Sequence, residues 1–456
     1  MHTTPTRHRG PALRRAAALL GTVTVLALTA CGGAADGPTA GEPSATDTSA
    51  TPFTASSDTE RLVVADPKAA ALHTYSVPEH ELLGTLEDVA VADHAGFVAL
   101  EDGRLLAAST QPPELLALDV TGDEPRVVGR VDLPGSAVHI AVDTDTGLAA
   151  VSTASATEGG PGGITVVDLD DLAVRSTLEV ATEEPGIAFV SDALLHRDGA
   201  EDGRVELLPL DDVLDGTADA ASTVTVGAYG HGEAVVDGHL LLATDAGLER
   251  VHVGADGLEV DGVVPWAADG SDWGRGYYAR LVGQDEPHLW SYVRDQGSPS
   301  WADWRNDVLV LGPGEDAARR APLGNGLAFR FAVAEDRLLF ARMHPDGYAA
   351  HVVDADPASP TFLTTLRTVP LPVPTGAPAR DADMEAVWAS PGRPIAALTA
   401  AGDVGYVSRG GDGVIDVLDT EAGTVVGEID VPTPLDGGGY LVVARPGARL
   451  VDPLGR

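Results

Sequence analysis

A unit of short apolar strands recurs along the chain from residue 61 onward, at a spacing of about 50 residues. Short β-rich runs alternate with turns of Gly, Asp and Pro, and no amphipathic helix of useful length lies between them. The clearest copy, near the end of the chain, is GDVGYVSRGGDGVIDVLDTEAGTVVGEIDVP, in which the turns GGDG and TEAG separate three strands. This repeat predicts an all-β array of similar units.

Each three-stranded unit is preceded by another short apolar strand, as in SAVHIAVD, PGIAFVSD, GHGEAVVD and GLAFRFAV. Four antiparallel strands are the sheet of one β-propeller blade. The outermost strands are expected near residues 81–87, 125–132, 172–180, 222–229, 256–264, 317–322, 362–369 and 424–431. The pattern predicts a single propeller of eight blades over residues 61–456. Seven blades remain an alternative, because the fourth and sixth outer strands are poorly defined.

The two ends of the array favour a closed ring. The first unit, residues 61–87, lacks an innermost strand, whereas GGYLVVARPGARL at 438–450 is a strand without a unit. An unpaired strand edge is a liability for a soluble protein. We therefore expect the C-terminal strand to complete the first blade.

The first 31 residues have the layout of an export signal. Several arginines and no acidic residue precede the apolar run AAALLGTVTVLALTA, which is too short for a comfortable membrane span. The run ends in Leu28-Thr29-Ala30-Cys31, which resembles the lipobox of bacterial lipoproteins, whose cysteine is lipid-modified. The alternative is a lone cysteine in a signal peptide cleaved nearby. Cys31 is the only cysteine, so disulfides and thiolate metal ligands are not expected in the mature protein.

Residues 32–60 are rich in Gly, Ala, Ser, Thr and Pro, which predicts a flexible tether. We expect an exported monomer, anchored by lipid to the outer face of the cytoplasmic membrane. The net charge of −40 argues against nucleic acid as a partner and favours solubility and the attraction of cations. Low Lys with high Ala, Gly, Val and Asp is typical of a high-GC, actinobacterial source.

Polar residues near the starts of the inner strands are the candidates for a site at the propeller axis. They are His139, His231, Glu233, Arg280, Arg330, Glu385 and Tyr440. His231 and Glu233 are two residues apart, so on a strand they share a face, and imidazole with carboxylate suits zinc. His139, on another inner strand, is our first choice for the third ligand. His239 follows an Asp-Gly turn and is expected to point elsewhere. The alternative is that these polar groups line a watery channel and satisfy one another.

Five of the six tryptophans fall between residues 266 and 304. If Trp290, Trp301 and Trp304 are exposed on the long connection RDQGSPSWADWRND, they predict a contact with a protein or a glycan. The alternative is that they cap one propeller face or fill the space between blades.

Two resemblances follow from these stretches. The segment GDGVIDVLDTEAGTVVGEIDV resembles the YVTN family of bacterial propellers, which implies the fold and little about function. More narrowly, GHGEA followed by VVDGHLLLATDAGLERV, with VHIAVD and GGITVVDLDDL before it, resembles the secreted zinc metallochaperone propellers of the AztD type. That resemblance implies zinc as cargo, His231 and Glu233 in the HGEA stretch, and the solute-binding protein of a zinc ABC importer as partner. The chain departs from that family at Pro185-Gly186, where a paired histidine is common.

The remaining motifs do not identify an activity. DTDTG at 143–147 lacks the distal acids of a calcium loop and is expected to be a hairpin turn. The chain has no nucleophile elbow and no phosphate-binding glycine loop. An enzyme is therefore not expected, although a catalytic group assembled from distant blades is not excluded. A metal-free binding propeller at the cell surface is the alternative function.

Overall fold

The computed structural model describes residues 59–91, 96–155, 160–182, 185–198, 203–217, 219–227, 232–236, 239–254, 256–266, 276–282, 288–334, 336–437, 439–447 and 454–455. All of them lie in one compact unit, residues 49–456. For residues 276–282 and 454–455, and for Val236 and Phe329, the description covers the backbone alone.

The described chain forms eight antiparallel sheets, which are the blades of a β-propeller. In chain order, the first half contains β1 (Arg61–Asp66), β2 (Ala71–Ser76), β3 (Leu82–Glu87), β4 (Phe97–Ala99), β5 (Arg104–Thr110), β6 (Pro113–Asp119), β7 (Arg126–Asp132), β8 (Ala137–Asp143), β9 (Leu148–Thr153), β10 (Gly162–Asp168), β11 (Val174–Val180), β12 (Gly186–Val190), β13 (Ala193–Arg197), β14 (Arg204–Pro209), α1 (Leu210–Leu214), β15 (Ser222–Thr225) and β16 (Glu233–Val236).

The second half contains β17 (His239–Ala243), β18 (Gly247–Gly254), β19 (Gly257–Pro265), β20 (Gly276–Val282), β21 (His288–Asp295), a 3-10 turn (Trp301–Asp303), β22 (Arg305–Leu311), β23 (Arg319–Asn325), β24 (Leu327–Val333), β25 (Arg337–Met343), β26 (Tyr348–Asp354), β27 (Thr365–Leu371), α2 (Met384–Trp388), β28 (Ala396–Leu398), β29 (Val404–Arg409), β30 (Val414–Asp419), β31 (Thr424–Asp430), β32 (Tyr440–Ala444) and β33 (Leu454–Gly455).

Blade 1 is made from both ends of the propeller. Its order is β32-β1-β2-β3, with Leu62 opposite Val443 and Val64 opposite Leu441. The expected closure of the ring is confirmed. Blades 2 to 8 follow as β4-β7, β8-β11, β12-β15, β16-β19, β20-β23, β24-β27 and β28-β31, which confirms the count of eight. Blade 3 also carries β33 beyond its innermost strand.

The buried apolar residues form eight clusters, and each cluster fills the space between two neighbouring blades. Leu62 of blade 1 packs with Tyr406 and Ile415 of blade 8, so the ring is closed by packing as well as by hydrogen bonds. Small cores repeated around a ring let a long chain fold as one domain without one large core.

The DTDTG segment is a hairpin turn, as expected, and a similar turn follows β10. In DTDTG, the Oδ1 of Asp143 accepts from the amide of Asp145 at 3.1 Å, and the chain reverses between β8 and β9. At the end of β10, the Oδ1 of Asp168 accepts from the amide of Asp170 at 2.9 Å. An Asp that closes a turn onto its own backbone explains why this residue recurs at strand ends.

Candidate functional site

The innermost strands of the blades lie beside one another and form the wall nearest the axis. Strands β8, β12, β16 and β20 approach one another in succession, as do β24, β28 and β32. Polar side chains on these strands are therefore the ones that a ligand in the channel would meet.

Three of these inner strands contain an extra residue at or directly beside a polar position that the sequence singled out. The register shifts next to His139 in β8, between Tyr277 and Arg280 in β20, and between Ala328 and Phe331 in β24, where Arg330 lies. A β-bulge bends the strand and re-aims a side chain, which is a common arrangement at binding sites. Periodicity in the sequence does not show such insertions, because one extra residue in a short strand leaves no clear pattern.

His139 is buried on the inner strand of blade 3, with 6% of its surface exposed. Its backbone N–H donates to the Oγ of Ser152 on β9 at 3.1 Å, which replaces the ladder bond lost at the bulge. The backbone around this histidine is therefore fixed by the blade itself.

Glu233 opens the inner strand of blade 5, and its carboxylate turns toward blade 4. Its Oε1 lies 3.7 Å from the Nη1 of Arg197, and both side chains are almost fully buried. The same oxygen lies so close to Gly186 that a Cβ there would come within 2.8 Å of it. The carboxylate thus fills the space next to Gly186, at the position where the sequence departs from the metallochaperone pattern.

Arg197 belongs to a recurring arrangement in which an arginine of a second blade strand reaches the next blade. Arg197 donates to the carbonyl of Ala243 at 2.9 Å, and Arg294 donates to that of Ala328 at 2.7 Å. Arg104 donates in the same way to the carbonyl of Leu169. Guanidinium groups suit this role because they donate several hydrogen bonds in one plane. No sequence pattern predicts that Arg197 and Glu233 meet, because they lie on different blades.

The residues proposed as zinc ligands are described only in part. His231 lies outside the described residues, whereas Glu233 and His139 are placed on the inner strands of blades 5 and 3. Among the described residues, no group of three or more His, Cys, Asp or Glu side chains is arranged to hold a metal ion. A zinc site made of these three ligands thus depends on His231. For Glu233 to bind the metal, its carboxylate has to give up its contact with Arg197.

Two other inner-strand candidates contact each other across blade 8. Arg330, in the left-handed region with φ +54°, donates to the hydroxyl of Tyr440, and its guanidinium lies 4.3 Å from the centre of that ring. Phe97 of blade 2 meets Tyr440 edge-on, with the ring centres 6.3 Å apart. Inner-strand side chains of blades 7, 1 and 2 thus converge.

The placement expected for Glu385 is wrong. It lies exposed on helix α2, and the inner strand of blade 8 is β28, further along the chain. The helix forms there because Asp383 caps it by accepting a hydrogen bond from the amide of Ala386 at 2.8 Å.

The interpretation of the tryptophans as exposed contact residues is also wrong. Trp290, Trp301 and Trp304 are 0%, 1% and 8% exposed. The indole of Trp301 donates to the carbonyl of Ala379 at 3.0 Å, and that of Trp304 donates to the carbonyl of Ser298 at 2.8 Å. The rings pack in the interfaces of blades 6, 7 and 8, which is the alternative considered from the sequence.

His239 begins strand β17, away from the inner strand, and its Nε2 lies 3.2 Å from the Oδ2 of Asp261 on β19. Cys31 and the segments 1–31 and 32–58 lie outside the described residues. In the described part of the chain, no helix combines the length and the apolar character needed to cross a membrane.

Comparison with known proteins gives similarity at the level of structure. No protein-family model matches the chain, and no curated protein sequence matches it. The solved structure of apo AztD from Citrobacter koseri is 13% identical, with a TM-score of 0.60 over 85% of this chain and 99% of that one. A second structure of Citrobacter koseri AztD is 14% identical, with a TM-score of 0.61 over 84% of this chain and 97% of that one.

A third similar structure is the dihydro-heme d1 dehydrogenase NirN in complex with DHE. It is 14% identical, with a TM-score of 0.56 over 87% of this chain and 79% of that one. An enzyme and AztD thus share this architecture, so the propeller by itself does not decide between binding and catalysis. The fold of this chain is that of the AztD propellers.

Proposed function

We propose that this chain is an exported propeller that binds zinc as its cargo and passes it to the solute-binding protein of a zinc ABC importer. The likeness of its fold to the two AztD structures over 84% to 85% of its length carries the proposal. It is supported by the resemblance of the HGEA stretch, His231 to Ala234, to the zinc metallochaperone propellers.

His231, Glu233 and His139 are the proposed ligands. Two imidazoles and one carboxylate are a common donor set for zinc and leave a fourth position open. An open position suits a cargo site, because the receiving protein has to supply ligands during transfer. Zinc has to compete with Arg197 for the Glu233 carboxylate. This competition lowers the affinity for zinc, so that the metal can be passed on.

Equilibrium dialysis of the full chain against micromolar zinc tests binding. We expect one zinc per chain, lost in His231→Ala and weakened in His139→Ala and Glu233→Gln. His344→Ala, on blade 7, is the matched control and should bind as the unchanged protein does. If the unchanged protein binds no zinc in this experiment, the proposal is wrong.

Transfer is tested separately, by mixing the zinc-loaded protein with the apo solute-binding protein of a zinc importer from the same source. We expect zinc to move faster than its spontaneous release into a chelator allows. Equal rates would show storage of zinc without delivery.

Export and anchoring form a further part of the proposal. We expect Cys31 to carry the lipid, so that labelled fatty acid is incorporated into the unchanged protein and not into Cys31→Ser. The variant should move from the membrane fraction to the soluble fraction. Membrane association that persists in Cys31→Ser would contradict a lipid anchor at this cysteine.

A further inference from the structure

The second histidine of the GHGEAVVDGH stretch lies in a polar cluster on one face of blade 5. His239 opens β17 directly opposite His252 of β18, and His252 lies opposite Glu259 of β19. Residues directly opposite each other on antiparallel strands share a face of the sheet. Asp261 is the extra residue of β19, where the register shifts, and its Oδ2 lies 3.2 Å from the Nε2 of His239. Two imidazoles and two carboxylates are thus grouped across three neighbouring strands.

The face that carries this cluster is turned toward blade 6. Leu241 follows His239 by two residues on β17, and it packs in the core between blades 5 and 6. Side chains two residues apart on a strand share a face. The polar cluster lies at the open margin of that interface, because the side chains of His239 and Asp261 are 32% and 37% exposed. His252 and Glu259 are exposed as well, so a hydrated cation can reach all four side chains.

The spacing of these groups matches that of ligands around a tetrahedral metal ion. Bonds of about 2.0–2.2 Å to the metal place neighbouring donor atoms about 3.3 Å apart and the centres of two coordinated imidazoles about 5 Å apart. The Nε2 of His239 lies 3.2 Å from the Oδ2 of Asp261, and the ring centres of His239 and His252 are 5.1 Å apart. A hydrogen bond alone gives the first distance too, and the second imidazole beside it is what favours a metal site.

One side chain has to turn before the three donors meet at one point. A Cβ at Gly254 would lie 3.0 Å from the Nε2 of His252, so this nitrogen lies next to Gly254. The described residues accordingly contain no ready-made group of three ligands. His252 is exposed, and its ring can change rotamer without displacing a core residue. Arg250 follows the same face, but its charge is paired with Asp316 at 2.7 Å, which reduces its repulsion of a cation.

We infer that His239, His252 and Asp261 form a second site for a divalent transition metal such as zinc, on the face of blade 5 and separate from the channel. Imidazole and carboxylate donors suit this ion. Because an exposed side chain has to be ordered on binding, the site is weak and fills above the micromolar range in which the proposed cargo site is loaded. The net charge of −40 favours the approach of cations. None of the three ligands belongs to the proposed cargo site, so this site does not depend on that function.

The test uses the full chain with Cys31→Ser and His231→Ala in every variant, which removes the thiol and the proposed cargo site. Isothermal titration with zinc chloride in the submillimolar range should show one zinc bound per chain. Adding His252→Ala or Asp261→Asn should weaken binding by more than about tenfold, since loss of even a supporting contact to a ligand has an effect of that size. His344→Ala is the matched control and should leave binding unchanged.

A gain of affinity tests the same site without removing any of its ligands. Glu259→His places a third imidazole opposite His252 and should tighten zinc binding by about tenfold or more. An affinity that this variant does not change would count against the site. Binding that is equal with and without His252→Ala and Asp261→Asn would overturn it, as would the absence of bound zinc from the His231→Ala protein.

The two zinc proposals fail separately. Zinc that is retained at micromolar concentration by the unchanged protein and lost in His231→Ala supports the cargo site and says nothing against the site on blade 5. If the unchanged protein retains no zinc at that concentration, while the His231→Ala protein binds it in the submillimolar range through His252, the blade 5 site stands and the proposed function falls.

Discussion

One pair of buried charges in this propeller lies across a blade boundary. Arg197 and Glu233 are both more than nine-tenths buried, at 3.7 Å, and come from blades 4 and 5. Burial of two charges is costly, so such a pair adds little net stability when intact, yet removal of one partner leaves the other uncompensated. The pair therefore makes the position of Glu233 sensitive to substitution even before any ligand is considered.

Glu233→Gln is expected to lower the free energy of unfolding by about 2–4 kcal/mol, because it removes the carboxylate that lies 3.7 Å from the buried guanidinium of Arg197. Urea denaturation of Glu233→Gln, Arg197→Met and the double variant measures the coupling. Glu428→Gln is the control. Its carboxylate pairs with Arg409 at 2.7 Å but is half-exposed, so its loss should cost less than about 1 kcal/mol. Equal costs for the two glutamates would contradict the buried pair.

Asp416 on β30 is a second buried charge, and it sits in an acidic neighbourhood. Burial, followed by the charges of Glu428 and Asp412, raises its pKa to about 6, although Arg409 lies 3.4 Å away and acts in the opposite direction. In the unfolded chain an aspartate titrates near ~3.9. The folded protein therefore binds more protons than the unfolded chain between these values.

Because the folded-state pKa of Asp416 is raised, protonation of this side chain stabilises the fold. The stabilisation is complete below about pH 4 and is lost as the pH rises through about 6. Asp416→Asn should accordingly raise the free energy of unfolding at pH 7.5 by about 1–3 kcal/mol and change it little at pH 4. Thermal unfolding of both proteins across this range measures the difference. A gain that is the same at both pH values would show that the carboxyl group does not titrate as described.

At the scale of elements, the inner strands differ from the outer ones in what they do. The outer strands end the blades and expose apolar residues such as Val174 and Val426, whereas the inner strands carry the polar candidates. Strand β32 also pairs with β1, and it buries Leu441 between blades 1 and 8 and Tyr440 between blades 1 and 2.

Deletion of residues 439–456 should open the ring and lower the melting temperature by about 10 °C or more, because several kcal/mol of packing is lost with β32. Deletion of residues 448–456, which leaves β32 in place, is the matched control and should change the melting temperature by only a few degrees. Differential scanning fluorimetry distinguishes them. The ring-closing role of β32 fails if both deletions have the same effect.

For the whole molecule, the eight repeated cores must hold together a chain with 69 acidic and 29 basic residues. A net charge of −40 destabilises the compact state by self-repulsion while keeping the protein soluble. Salt screens this repulsion over about 10 Å at 0.1 M ionic strength.

We therefore expect the melting temperature to rise by a few degrees as sodium chloride is raised from about 0.02 to about 0.3 M. Potassium chloride at the same ionic strength is the control for effects of the particular cation. A fall in melting temperature with both salts would mean that ion pairs such as Arg126–Asp119, at 2.7 Å, contribute more than the net charge.

The sequence by itself determined the class of fold, favoured eight blades over seven and predicted that a strand within residues 438–450 closes the ring, where the structure has β32. These depend on strand periodicity and turn chemistry, which are local and repeat along the chain. The tertiary structure decided which distant side chains meet. The pairing of Glu233 with Arg197, the burial of Trp301 and the addition of β33 to blade 3 each join segments far apart in the chain. No local pattern encodes such contacts, because they arise only when the ring brings separate blades together.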